Sequence, residues 1–402
     1  MTNSNSSVYT DANQTPPMSE AIPLGVQHVL AMFASNVTPS VIVAGAAGLA
    51  FGGEQQIYLI QMAMLFAGIA TLFQTVGFGP VGARLPIMQG TSFALVGVLA
   101  GIAATQGLDV ALTSCIIAGL IHFALGSVIV RIRSWFPPLV TGLVILAIGL
   151  YLIPVGIKYA AGGAADFQMQ ADSFGSLKHW SVALTVIVVA LIVKFRTSGL
   201  LSNAAILIGL IAGYVLAYVL GMVSFGAVAK ASWITGLQVL PYGFEFNLGA
   251  VIGVTLVSIV SAVETVGDAS ATTKAGAGRE ATDAEISGAT YADGLGTAVA
   301  GVFGGLPNTS FSQNVGIVGM TGVMSRHVVT IAGILMLLCG LLPKVGATIA
   351  SMPLPVLGGG VIVMFGMVAA AGLNVLSEIQ MSRRNMIIIA ISLTVGLGLN
   401  LV

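Results

Sequence analysis

Leu306-Pro307-Asn308-Thr309-Ser310-Phe311-Ser312-Gln313-Asn314-Val315-Gly316-Ile317-Val318-Gly319-Met320-Thr321-Gly322 lies deep in an otherwise apolar chain, yet it carries amides, hydroxyls and helix-breaking Pro and Gly. Irregular polar backbone at membrane depth survives only where protein or a water-filled cavity surrounds it. A shorter echo lies upstream: Leu85-Pro86-Ile87-Met88-Gln89-Gly90-Thr91-Ser92-Phe93. Both copies set Leu-Pro ahead of Thr-Ser-Phe, and both run on into an apolar segment. Two interrupted hydrophobic segments at corresponding places in two halves point to the binding site of a secondary carrier.

Outside these stretches the composition decides the class. Hydrophobic residues make up 56% of the 402 and charged residues only 7%, against roughly 25% in soluble domains. The chain is therefore read as an integral membrane protein. Its 52 glycines suit close-packed transmembrane helices, whose backbones approach over small residues. The first 20 residues are polar and carry no secretory signal; residues 1–22 are expected to be a disordered tail. Cys115 and Cys339 lie inside apolar segments and read as inert packing residues, not a disulfide or metal pair. Gly276-Ala277-Gly278 lacks the strand and the Lys-Ser/Thr of a phosphate loop. No Ser-His-Asp, metal-ligand or nucleotide constellation appears, so neither an enzyme nor a pump is indicated, and no cofactor, metal or nucleic-acid partner is expected.

Hydropathy predicts helices near 24–49, 57–77, 84–104, 108–130, 136–157, 180–195, 203–221, 248–272, 285–304, 311–325, 327–343, 353–372 and 384–401. The third and tenth are broken. With the N-terminus cytoplasmic, the cytoplasmic loops receive Arg84, Arg131, Arg133, Lys194, Arg196, Lys274, Arg279, Arg326, Arg383 and Arg384; the opposite side receives Lys158, Lys178, Lys230 and Lys344. Ten against four obeys the positive-inside rule. A second echo supports duplication: Phe136-Pro137-Pro138-Leu139-Val140-Thr141-Gly142 resembles Met352-Pro353-Leu354-Pro355-Val356-Leu357-Gly358 at nearly the same offset. A duplicated unit of seven helices is inverted in the membrane. The fold expected is an all-α polytopic membrane protein of two inverted seven-helix repeats, in which the second repeat is one helix short.

Several residues do not belong to packing. Glu264 is embedded in an apolar helix, where an ionisable group costs about 2.5–3.5 kcal/mol and usually faces a cavity or partner. It is a candidate to hold and release a proton; the plainer reading is a bundle carboxylate satisfied by a neighbouring amide. Asp268 lies one turn further on the same face. Asp293 opens the next apolar run, either as an interfacial residue or as a second carboxylate of the proton path. His28 is either a structural hydrogen-bonding residue or part of the site, while His122, His179 and His327 read as packing or loop residues. Gln313 and Asn314 each offer an amide donor and acceptor, which suits a flat heterocycle with alternating N–H and C=O edges. Phe93 is placed to stack on its face. Amides also satisfy broken-helix backbone without binding anything.

From Gln313 to Gly322 the chain resembles the nucleobase–ascorbate (nucleobase:cation symporter-2) family, whose signature reads Gln/Glu/Pro-Asn-x-Gly-x-x-x-x-Thr-Gly/Arg/Lys. The resemblance extends over nearly the whole chain, through Gln27-His28, Gln89 to Phe93, Glu264-Thr265-Val266-Gly267-Asp268 and Ala292-Asp293-Gly294. It implies fourteen helices, with a core domain from 23–130 and 248–343 and a gate domain from 131–247 and 344–402. It also implies short antiparallel strands in the third and tenth segments. Glu264, Gln313, Phe93, Ser92 and Gln89 would bind the base, with Asp268, Asp293, His28 and Asn314 in support or in proton coupling. The activity implied is proton-coupled uptake of oxopurines (xanthine, uric acid, and further guanine or hypoxanthine) across the bacterial inner membrane. The protein would sit among lipid as a homodimer joined through the gate domain. Gln313, where uracil permeases carry Glu, resembles the purine members. Val315 and Ser92 stand where the xanthine permease pattern has Asn and resemble uric acid permeases, whereas Asp268 resembles the xanthine type. The alternatives are a uracil:proton symporter, an anion transporter of the same fold, and a non-transporting sensor.

Overall fold

The computed structural model describes residues 9–398, apart from 136, 164, 165 and 168. Its principal helices are α1 (Met18–Ala46), α2 (Glu54–Thr75), α3 (Val96–Thr105), α4 (Leu108–Leu125), α5 (Pro138–Ala161), α6 (Leu177–Arg196), α7 (Ala205–Val219), α8 (Leu248–Ala277), α9 (Asp283–Val302), α10 (Ser312–Thr321), α11 (Arg326–Gly340), α12 (Leu354–Ser377) and α13 (Arg383–Gly398). Two three-residue strands, β1 (Gln89–Thr91) and β2 (Asn308–Ser310), precede α3 and α10. Among the described residues seven helices are long and apolar enough to cross a membrane, and α11 with the short helix Pro343–Ala350 makes an eighth, bent by 78°. The chain is a multi-pass membrane protein.

Each helix expected from hydropathy has a counterpart; the third, expected from 84, is helical only from Val96, behind β1, and the other differences lie at ends. The first helix starts at Met18, because Pro17, in extended conformation with ψ 149°, supplies a stop that hydropathy does not register. The segment expected to be disordered is ordered from residue 9. Tyr9 and Ala12 accept through their carbonyls from Met324 N (2.6 Å) and Arg326 N (2.9 Å), and Ser325 Oγ donates to Gln14 O (2.6 Å). Backbone pairing with a loop some 310 residues away leaves no hydropathy signature. Residues 1–8 of that expected tail lie outside the described residues. The fourth helix stops at Leu125, and a separate turn, Ile129–Ile132, follows. The eleventh ends at Gly340, where Pro343 begins a new helix instead of extending the old one.

β1 and β2 pair antiparallel in the register Gln89↔Ser310, Gly90↔Thr309 and Thr91↔Asn308. The helices obey the same inverted symmetry. The fourth helix of one unit packs on the second of the other, as α4 on α9 and α2 on α11, and α5 packs on its own counterpart α12. Glycine makes each contact possible. A Cβ added at Gly68, Gly119 or Gly149 would lie 2.5 Å from the backbone nitrogen of Leu337, Ala298 or Ala369 across the respective interface. Helices in lipid gain cohesion from such close packing, since transfer between apolar tails and apolar side chains offers little. Helices α1–α4 and α8–α11 enclose the strand pair, with Met32, Met64, Met88 and Met336 buried around it. Helices α5, α6, α7 and α12 form the second group, and α13 lies against α5.

The α5–α12 seam yields a test. Gly149→Ala places a methyl against backbone and is expected to cost about 1–3 kcal/mol through overpacking. Gly366→Ala on α12, where nothing lies within 4 Å, should be neutral or raise stability by up to about 1 kcal/mol through helix propensity. Thermal unfolding of the two variants in detergent compares them; equal melting temperatures would refute the tight seam.

Candidate functional site

Two broken segments meet at the middle of the molecule because their backbone polar groups have nowhere else to go. Three-residue strands satisfy only part of each other's hydrogen bonding, and side chains from the flanking helices supply the rest. Gln89 N donates to Thr71 Oγ1 (2.9 Å) and Asn308 N to Thr297 Oγ1 (3.0 Å). Thr71 and Thr297 belong to α2 and α9, the second helices of the two units, so one device is used twice. Thr91 N donates to Asn36 Oδ1 (2.8 Å), Ser92 N to Pro307 O (2.8 Å) and Phe311 N to Met88 O (2.9 Å). Gly90 allows this convergence: a Cβ there would meet Phe311 Cε2 at 2.5 Å and Asn36 Oδ1 at 2.8 Å.

Beside the strands lies a cavity of about 270 Å³. One wall carries Phe93, Glu264, Ser312 and Gln313; the facing wall is Ile145 and Ile148 of α5 with Met367, Val368 and Ala371 of α12. The ends of the strands and the first turn of α10 line its floor, so backbone N–H groups of a helix start border the space. Glu264 and Gln313 are half-buried, and neither side chain hydrogen-bonds to a described residue. Phe93 is held edge-on to Phe365, with ring centroids 5.6 Å apart and planes at 88°. Among the described residues no Lys or Arg lines the cavity.

The remaining sequence-predicted residues stand behind this wall. Asp268 is buried and accepts from Ser310 Oγ (2.6 Å) and Ser312 Oγ (2.8 Å). Asp293 is fully buried and accepts from Gln74 Nε2 (3.0 Å), Gln89 Nε2 (2.6 Å) and Thr265 Oγ1. Gln89 therefore turns its amide onto a carboxylate and not into the cavity. Ser92 is likewise buried, its Oγ without a partner, and is not part of the lining. Asn314 Nδ2 lies 3.0 Å from both Nδ1 and the carbonyl of His28, tying α10 to α1. His28 and Asn314 do not line the cavity.

Sequence reasoning passed over Thr265, the hub of the polar layer. Its hydroxyl donates to Asp293, lies 3.3 Å from Ser310 Oγ and 3.4 Å from Thr309 Oγ1, and Ser261 Oγ reaches Thr309 at 3.0 Å. Gln74 was missed as well, although its polar side chain inside α2 is itself a signal. Three carboxylates, Glu264, Asp268 and Asp293, thus lie close together with hydroxyls and amides as neighbours and no salt bridge among the described residues there.

The profile of a permease family, Xan_ur_permease, matches residues 19–402. The chain is 34% identical over 385 residues to the xanthine permease of Bacillus subtilis, covering 95% of this chain and 86% of that one. It is 38% identical over 377 residues to a uric acid permease of the same organism, covering 93% and 86%. Among solved structures, the transmembrane domain of a cyanobacterial bicarbonate transporter, BicA, superposes with a TM-score of 0.69 at 16% identity, covering 96% of this chain and 97% of that one. That last likeness is one of fold.

Thr265→Val removes the hydroxyl that joins Asp293 to β2. Leaving a buried carboxylate short of a donor should cost about 1–3 kcal/mol, whereas Thr265→Ser should retain most of the stability. Melting temperatures of the purified variants read the difference, and an unchanged Thr265→Val melt would remove Thr265 from its hub position.

Proposed function

The chain belongs to this permease family, the nucleobase–ascorbate carriers that its motifs resemble, and from that premise we propose that it takes up oxopurine bases (xanthine, uric acid and related purines) together with protons. The observation that carries the proposal is the cavity between the two helix groups, where a free carboxylate, a free carboxamide and an aromatic ring converge. Glu264 accepts from N–H groups of the base, Gln313 pairs with a neighbouring N–H and C=O edge, and Phe93 covers a ring face. The apolar α5 and α12 side chains close the other face. Asp268 positions the first turn of α10 through Ser312, Asp293 braces β1 through Gln89, and the His28–Asn314 contact braces α10 against α1. Gln89 and Ser92 serve as support beneath the lining.

In this reading the core is 23–130 with 248–343 and the gate is 131–247 with 344–402, and movement of one past the other carries the base across. Coupling follows from linkage: a base hydrogen-bonded to Glu264 changes that group's proton affinity, and protonation changes base affinity by the same factor. The excess of cationic residues in the loops on one side supports a cytoplasmic N-terminus in a bacterial inner membrane. Exposed apolar side chains on α13, such as Ile387, Ile391 and Val395, suit lipid or a second copy packed through the gate. Anion transport is disfavoured by a free carboxylate in a cavity without cations, and uracil preference by the amide at Gln313.

Uptake of labelled xanthine, uric acid and uracil into proteoliposomes, with and without an inward proton gradient, tests the proposal. Purine accumulation should collapse with the gradient; accumulation of uracil alone would refute the substrate assignment. Glu264→Gln should abolish gradient-driven accumulation while leaving a folded protein, and undiminished accumulation would exclude Glu264 from coupling. Gln313→Glu should weaken oxopurine uptake by about tenfold or more, the loss of one good hydrogen-bonded contact, and an unaltered substrate profile would show that Gln313 does not touch the base.

A further inference from the structure

A larger cavity, about 460 Å³, lies on the face opposite the N-terminus, between the first turns of α2 and the segment around residues 230–242. It shares no lining residue with the Glu264 cavity. Gln61 projects from α2 into it, is only 2% exposed, and hydrogen-bonds to no described residue. Buried carboxamides normally have partners; this one opens onto the cavity and is available to an occupant. Tyr58 and Tyr242 form an aromatic wall, with ring centroids 6.4 Å apart and planes tilted by 59°. Their hydroxyls are already engaged: Tyr58 accepts from Gln238 N (2.9 Å), and Tyr242 donates to Gln55 O (2.6 Å). The wall is thereby fixed and offers ring surface. Glu54 and Lys230 line the same cavity without pairing with each other, so an acceptor and a donor of opposite charge remain available.

These groups define a ligand. A primary carboxamide places N–H and C=O side by side and is complementary to a lactam edge. Aromatic faces select a flat ring, and the charged pair accepts one further N–H and donates to one further C=O. We propose that this cavity is a second nucleobase site, a docking site on the face opposite the N-terminus, which holds a lactam-bearing heterocycle before it enters the Glu264 cavity. The identity of the ligand rests on the transport function proposed above.

Equilibrium binding of labelled xanthine to the purified full chain in detergent, read as sites per chain, tests this. Two classes of site are expected. Gln61→Leu should abolish one class and leave the other, whose persistence also reports a folded protein; Glu264→Gln should do the converse. Lys230→Met, at an exposed position, should weaken the Gln61-dependent class several-fold and decides the matter if Gln61→Leu does not fold. One class of site, lost in Glu264→Gln and untouched by Gln61→Leu and Lys230→Met, would overturn the docking site and leave the transport proposal intact. Absence of xanthine binding in the wild-type chain would overturn both.

Discussion

Six residues of extended backbone at membrane depth organise this protein. The pairing of Gln89–Thr91 with Asn308–Ser310 replaces helical hydrogen bonding in the protein's interior. In hydrocarbon each unpaired N–H or C=O costs several kcal/mol, so the strands must find each other and must be enclosed. That requirement brings the two repeats into register, sets Thr71 and Thr297 as matched donors and acceptors from α2 and α9, and demands a glycine at position 90. It also leaves two half-length helices, α3 and α10, beginning beside the same cavity. The interruption of two membrane helices is thus the origin of the site.

Charge is handled inside this frame without cations. Asp268 and Asp293 are surrounded by hydroxyl and amide donors from α2, β1, α8, β2 and α10, and that solvation by protein keeps them fixed. Glu264, on the same helix as Asp268, is left without such donors and faces the cavity. Two of these three nearby carboxylates thus have their oxygens engaged by protein donors, and the third hydrogen-bonds to no described residue. The fold is shared with a bicarbonate transporter, and a common scaffold leaves function to the side chains grafted onto it.

The helix group carrying the strands and the group built on α5, α6, α7 and α12 meet across the cavity through dissimilar surfaces. One side offers polar groups of defined direction; the other offers Ile145, Ile148, Met367 and Val368. An apolar face lacks directional bonds and tolerates sliding, whereas the polar face holds its geometry through the Thr265 network. Within the second group, by contrast, α5 and α12 approach at backbone distance over Gly149, a contact that resists relative movement.

The order and number of helices, the two breaks and the inverted duplication were legible in the sequence, because hydropathy, proline and glycine act locally. Glu264 and Gln313 were legible as cavity residues for the same reason: polar groups in apolar segments have few places to go. Only the tertiary structure decided which polar groups face the cavity and which face each other. Gln89 and Asp293, both assigned to the site from sequence, meet across 204 positions, and no local pattern distinguishes that bond from contact with a ligand. Thr265 and Gln74 escaped notice because hydroxyls and amides in helices are ordinary until a buried carboxylate is placed beside them. The ordered segment from Tyr9 to Gln14 was hidden likewise, since its partners are backbone groups of residues 324–326. Composition and periodicity specify what must be buried; which buried donor meets which acceptor is a property of three-dimensional adjacency.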